Sequence, residues 1–105
     1  MTFCATVNAI LHAGCTPVLA DIDPVTFNID PNEIERHITP RTRAIVPVHF
    51  AGRPCEMDAI MDIAKRHHLK VIEDCAHAIE TQYRGQNAGT FGDFGCFSFY
   101  ATKNV

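Results

Sequence analysis

No stretch of this sequence approaches the roughly 18–20 consecutive apolar residues that a membrane-spanning helix requires, so no membrane partner is expected. Charge of one sign is also scarce: 9 Lys and Arg stand against 12 Asp and Glu, a net charge of −3, with no basic cluster. That balance argues against nucleic acid or an anionic surface as the ligand. The first residues, Met1-Thr2-Phe3-Cys4, lack a basic stretch leading into an apolar run. A secretory leader is therefore not expected, and a cytoplasmic location is. The five cysteines are odd in number and none pair as C-x-x-C. That spacing speaks against a disulfide framework and against a closed zinc site, so no metal is assigned. Buried, reduced thiols acting as small hydrophobes are the expectation. Gly85, Gly89, Gly92 and Gly95 form neither G-x-G-x-x-G after a strand nor G-x-x-x-x-G-K, which leaves nucleotide cradles without support.

What is present is a globular balance, 47% hydrophobic and 20% charged, in 105 residues, suited to one domain. Helical and strand periodicities alternate, which predicts an α/β fold with a mostly parallel sheet and flanking helices. Phe3, Val7, Ile10 and Leu11 recur at helical spacing, with Gly14 as the stop. Pro17 to Ala20 reads as a short buried strand. Asp30, followed by Pro31 and with Glu33 three positions on, reads as a helix N-cap. The helix should close by Ile38, since Thr39-Pro40 disfavours continuation. Arg43 to Phe50 is a strand candidate in which Pro47 should end or bulge the ladder. Glu56 to His68 carries an apolar stripe of Met57, Ile60, Met61 and Ala64, with basic residues at its C-terminal end. Leu69 to Glu73 reads as a strand, Gln82 to Ala88 as a hairpin, and Phe94 to Tyr100 as a last, aromatic-rich strand.

Parallel strand–helix–strand units gather their strand ends on one edge of the sheet, and ligands bind outside the carboxyl ends. Asp74 and His49 fall at such ends. Lys103 follows the last aromatic strand, in Ser98-Phe99-Tyr100-Ala101-Thr102-Lys103. Lysine forms Schiff bases, and pyridoxal phosphate (PLP) enzymes pair such a lysine with an Asp at the pyridine nitrogen. A protonated pyridine is the better electron sink, which is why one carboxylate matters there. Glu73 competes with Asp74 for that part, and strand alternation puts the two on opposite faces, so only one can serve. His77 lies three residues past Asp74, a spacing that can put both on one side of a turn. His49 reads as structural rather than catalytic, and Gly52 as a tight turn or close approach.

Taken together, S-F-Y-A-T-K before Asn104, Val71-Ile72-Glu73-Asp74-Cys75-Ala76-His77, Thr2-Phe3-Cys4-Ala5-Thr6-Val7-Asn8 and Pro47-Val48-His49-Phe50-Ala51-Gly52 resemble the DegT/DnrJ/StrS family of PLP-dependent sugar aminotransferases. The resemblance runs over essentially the entire chain. It chooses Asp74 over Glu73 for the pyridine nitrogen and makes Lys103 the covalent anchor and general acid/base. It also gives Ser98 to the phosphate, with Thr102 a weaker second donor, Phe3 to one face of the cofactor, and His77 to a cofactor contact of unspecified kind. Thr6 and Asn8 match the pattern without a derivable role. The implied fold is the PLP-dependent transferase type I (aspartate aminotransferase-like) fold, of which residues 1–105 would be an incomplete large domain, without an N-terminal segment and a C-terminal small domain. The implied reaction moves an amino group from an amino acid such as glutamate to a nucleotide-linked keto-sugar, in a homodimer. Lys103 argues against the dehydratase branch, which carries His there. The fragment alone is expected to fold poorly or associate, and to be inactive. A non-catalytic remnant or interaction module that keeps the fold is the alternative, and a redox or metal role would need two clustered cysteines with a histidine.

Overall fold

The computed structural model describes residues 1–103; Asn104, part of the lysine motif, and Val105 lie outside them. The order of elements is helix α1 (Cys4–His12), helix α2 (Pro31–His37), strand β1 (Ala44–Ile45), helix α3 (Met57–Arg66), strand β2 (Lys70–Asp74), the short strands β3 (Gln82–Tyr83) and β4 (Gln86–Asn87), and strand β5 (Phe94–Cys96). Strands β1, β2 and β5 form a parallel sheet with β2 in the middle, and β3 and β4 form an antiparallel hairpin. No described helix is long and apolar enough to cross a membrane.

Local chemistry explains the helices. Asp30 caps α2 by accepting from the Asn32 amide at 2.8 Å, with Pro31 in the first turn where its missing N–H leaves no bond unmade. On α3, Met57, Ile60, Ile63 and Ala64 are buried while Asp58, Asp62, Lys65 and Arg66 face solvent. Each fully buried aliphatic side chain there contributes about 1.5–3 kcal/mol. Together with Ile34 of α2, Ile45 of β1, Val71 of β2, Cys55 and Tyr83, that stripe makes the main core, on one face of the sheet. On β2 the alternation is clean: Val71 and Glu73 are buried beneath that layer, and Ile72 and Asp74 are half-buried on the opposite face.

Several expected elements come out shorter. Pro47 interrupts β1 as its ring demands, since proline has no N–H for a ladder. The chain nevertheless stays alongside β2: the Asp74 amide donates to the Pro47 carbonyl at 2.8 Å, and the His49 amide donates to the Asp74 carbonyl at 3.1 Å. Pro17 to Ala20 is not a strand; Val18 and Leu19 are 64% and 70% exposed, and nearby pairing is limited to one bridge between Ile22 and Ile29. The last strand stops at Cys96 because β2 ends opposite it, at Asp74. The cysteines also depart from expectation: Cys55 and Cys75 are buried, whereas Cys4, Cys15 and Cys96 are exposed.

The segment between β4 and β5 packs backbone to backbone against β2. A Cβ on Gly92 would sit 2.5 Å from the Val71 carbonyl oxygen, which neither chain can relieve by a rotamer change. Gly92→Ala should therefore lower stability by about 1–3 kcal/mol, read as a fall in the urea midpoint at unchanged m-value.

Candidate active site

The carboxyl end of β2 carries two adjacent acids in contrasting surroundings. Glu73 is fully buried, and both its oxygens are taken. Oε2 accepts from the Gly89 amide at 2.7 Å and from His49 at 2.9 Å, while Oε1 accepts from the Phe91 and Gly92 amides at 2.8 and 2.7 Å. The His49 tautomer follows from its other nitrogen. Nδ1 faces the Cys55 amide at 3.0 Å, and since an amide can only donate, Nδ1 accepts and Nε2 carries the proton given to Glu73. Burial by itself would raise the Glu73 pKa, but the amides of Gly92 and Gly89, then His49 and the Phe91 amide, outweigh it and hold the carboxyl below its ordinary range. Glu73 is thus a structural clamp joining β2 to His49 and the 89–92 loop, and it has no lone pair to spare for a ligand. His49 is likewise structural.

The same saturation bears on a possible metal centre. His49, Glu73 and Cys75 bring three potential ligand atoms within 4.8 Å of one another. Nδ1 and Nε2 of His49 and both oxygens of Glu73 are already committed to hydrogen bonds. Burial, reinforced by Glu73 and Asp74, pushes the Cys75 thiol up to about 12, which disfavours the thiolate a metal binds. The cluster also holds one cysteine rather than the two a redox or metal reading required.

Asp74 points the other way, as alternation predicts. Its carboxylate is half-buried; Oδ2 accepts from the Thr6 hydroxyl at 2.6 Å and Oδ1 from the Ala76 amide at 3.1 Å. Thr6 belongs to the first turn of α1, and its amide donates to the Phe3 carbonyl at 3.1 Å. Phe3 is the N-cap residue of α1 and its side chain is largely exposed. Strand β5 runs parallel to β2 with Cys96 paired to Asp74, so the chain leaves β5 at the edge where Asp74 sits. It passes half-buried Ser98, whose hydroxyl oxygen accepts from the Tyr100 amide at 3.4 Å. It then closes a turn in which the Lys103 amide donates to the Tyr100 carbonyl at 2.8 Å, leaving Lys103 half-buried.

His77 occupies the turn after β2 and is exposed. Its Nδ1 accepts from the Ala51 amide at 3.4 Å, and its ring centroid lies 6.1 Å from that of Phe50. It opens onto a cleft of about 370 Å³ shared with Gly52, Ile79, Glu80, Thr81 and Gln82, which neither Asp74 nor Lys103 lines. Gly52 forms the tight turn expected of it, at φ +78°, and its carbonyl accepts from the Thr81 hydroxyl at 2.8 Å.

Residues 1–105 match the model of the DegT/DnrJ/EryC1/StrS aminotransferase family from end to end. The chain belongs to that family. Among relatives, it is 50% identical over 105 residues to GDP-perosamine synthase from Caulobacter vibrioides, covering 100% of this chain and 28% of that protein. Among solved structures, an aminotransferase from Psychrobacter cryohalolentis superposes with a TM-score of 0.96 at 45% identity, over 97% of this chain and 26% of that one. The PLP-form of Spr1654 from Streptococcus pneumoniae gives 0.94 at 34% identity, over 100% and 31%. The chain thus spans between a quarter and a third of these relatives, and its α/β architecture with a parallel sheet is the family fold.

Two contacts at this strand end are not legible in the sequence. Thr6 carried no derivable role, and Glu73 was weighed only as a rival to Asp74. The available signal for Glu73 was its place on the buried face of the strand without a Lys or Arg neighbour, a position that demands amide donors.

Proposed function

We propose that this chain is part of the PLP-binding large domain of a cytoplasmic, homodimeric enzyme. In this reading the enzyme transfers an amino group from an amino acid, glutamate, to a keto-sugar linked to a nucleotide. The N-terminal segment and the C-terminal small domain of that enzyme would lie outside these residues. The observation that carries the proposal is Asp74: an acid at a strand's carboxyl end, on the face opposite the saturated Glu73, held between α1 and the β5 edge that leads to Lys103. The relative named for a GDP-linked sugar and the neighbour solved in a PLP-form support the substrate class and the cofactor.

The residues present fit PLP. Asp74 meets one donor at each oxygen, and an ionised carboxylate retains further acceptor capacity, enough to hold a proton at a ring nitrogen. Phe3 offers an exposed aromatic ring and Ser98 a half-buried hydroxyl for a phosphate oxygen, with Thr102 a second; His77, exposed just past Asp74, opens instead onto the cleft beside Gly52. When bound, PLP supplies an electron sink for the pair left at Cα as a proton departs. Lys103 would hold the cofactor aldehyde through its amine, and the same amine, when free, would serve as the group that takes a proton from Cα. Asp74 would keep the ring nitrogen protonated, and Phe3 would offer its ring to one face of the cofactor.

Large aromatic side chains of β5, of the segment after it and at the start of α1 are exposed: Phe94 65%, Phe99 71%, Tyr100 70% and Phe3 72%. Exposed aromatic side chains in this number suit contact with further protein segments, which supports further domain and partner-subunit segments closing the site. In the complete polypeptide, Asp74→Asn should lower turnover with glutamate and a nucleotide-linked keto-sugar by about 10²–10³-fold, while residues 1–105 alone should show none. Full turnover by the Asn variant would remove the basis of the assignment.

A further inference from the structure

The hydroxyl of Thr6 reaches Asp74 across 68 positions of sequence, at 2.6 Å. A carboxylate at a strand end is free to turn about two side-chain bonds. The Ala76 amide, two residues on, fixes one oxygen through a local turn that aspartates commonly make. It leaves the plane of the group free to swing. The second oxygen is fixed only by a donor arriving from elsewhere in the fold, and among the described residues that donor is Thr6.

Thr6 suits the part. Its β-branched side chain is limited to two χ1 wells in a helix, and the one adopted delivers the hydroxyl to Asp74. Its backbone is tied to Phe3, whose carbonyl accepts from the Thr6 amide. No residue of α1 is fully buried, Val7 and Ile10 being half-buried, so apolar packing alone leaves the first turn loosely fixed. Thr6 joins that turn to the sheet through the very acid assigned to the ring nitrogen.

We propose that Thr6 is a positioning residue that fixes the Asp74 carboxylate and couples it to Phe3, so that the acid and the aromatic face are set together. The inference rests on the PLP reading above. It differs from simple docking of a helix: a docking role would affect any occupant of the site, whereas positioning of Asp74 matters only for a ring with a nitrogen to protonate.

The test uses the complete polypeptide with Lys103 intact, and measures dissociation constants for PLP and for the PLP analogue whose ring nitrogen is replaced by CH. Thr6→Val, near-isosteric but without the hydroxyl, should raise the constant for PLP about tenfold, as loss of one hydrogen bond to a charged group implies. The constant for the analogue should change less than about twofold. Thr6→Ser, which keeps the donor, should bind both ligands as the parent does, and it remains informative if the Val variant folds poorly. Unchanged PLP affinity in Thr6→Val, equal losses for both ligands, or a Ser variant as weak as a Val variant would overturn the role of Thr6 while leaving the PLP reading standing. A parent protein that binds neither ligand, or binds PLP no better than the analogue, would overturn both.

Discussion

Lys103→Ala should leave the complete polypeptide without covalently held PLP and with turnover reduced by about 10³-fold or more. One side chain is asked to do two jobs, anchoring the cofactor aldehyde and moving a proton, and loss of the proton transfer alone is worth roughly 10²–10⁴-fold. The comparison that gives this result meaning is Lys70→Ala. Lys70 is an exposed lysine whose Nζ pairs with Asp93 at 2.7 Å, an interaction of about 0–1 kcal/mol. Its removal should leave turnover near the parental level. Initial rates with glutamate and a nucleotide-linked keto-sugar separate the two variants directly. Comparable activity in both would mean that position 103 carries no chemistry.

The second large effect concerns stability. Glu73→Ala removes the acceptor of four hydrogen bonds in a fully buried site and strands His49 and three backbone amides. Breaking a buried charged cluster from one side costs about 3–5 kcal/mol, a large part of what holds a domain together. The sign of the pH dependence follows from the same contacts. The folded Glu73 carboxyl is held below its ordinary value, so the unfolded chain binds the proton first as pH falls. Its contribution is complete above the unfolded glutamate pKa of about 4.3 and is lost as pH drops from there through the lower folded value. Urea midpoints of the complete polypeptide across pH 3–7 should show an acid-side decline that shrinks in Glu73→Gln, which keeps the shape and cannot ionise. A parallel decline in both proteins would assign the acid sensitivity to other groups.

How much of this was readable beforehand depends on how local each cause is. The caps and stripes of α2 and α3 were legible because Asp30, Pro31 and the Met57–Ala64 pattern act within a turn or two of themselves. The opposition of Glu73 and Asp74 was legible because a strand's faces alternate without reference to anything else. Pro47 announced its own break. By contrast, Val18 and Leu19 announce a need for burial and say nothing of what would pair with them. Phe94 to Tyr100 looked like one strand because its aromatics continue past the point where its partner β2 ends. For the candidate site, motifs single out Asp74 and Lys103, whereas the Thr6 bond to Asp74 and the amides converging on Glu73 span 16 to 68 positions. Contacts of that range are decided by packing, and no local pattern encodes them.

Borohydride reduction of the PLP-loaded complete polypeptide, followed by peptide mass spectrometry, asks most directly whether the chemistry resides where it is assigned. Lys65, Lys70 and Lys103 are the lysines of this sequence. A stable pyridoxyl label on Lys103, absent from the other two and lost in Lys103→Ala, is the expected outcome. A label on Lys65 or Lys70, or Lys103 left unmodified in protein that has bound PLP, would contradict it.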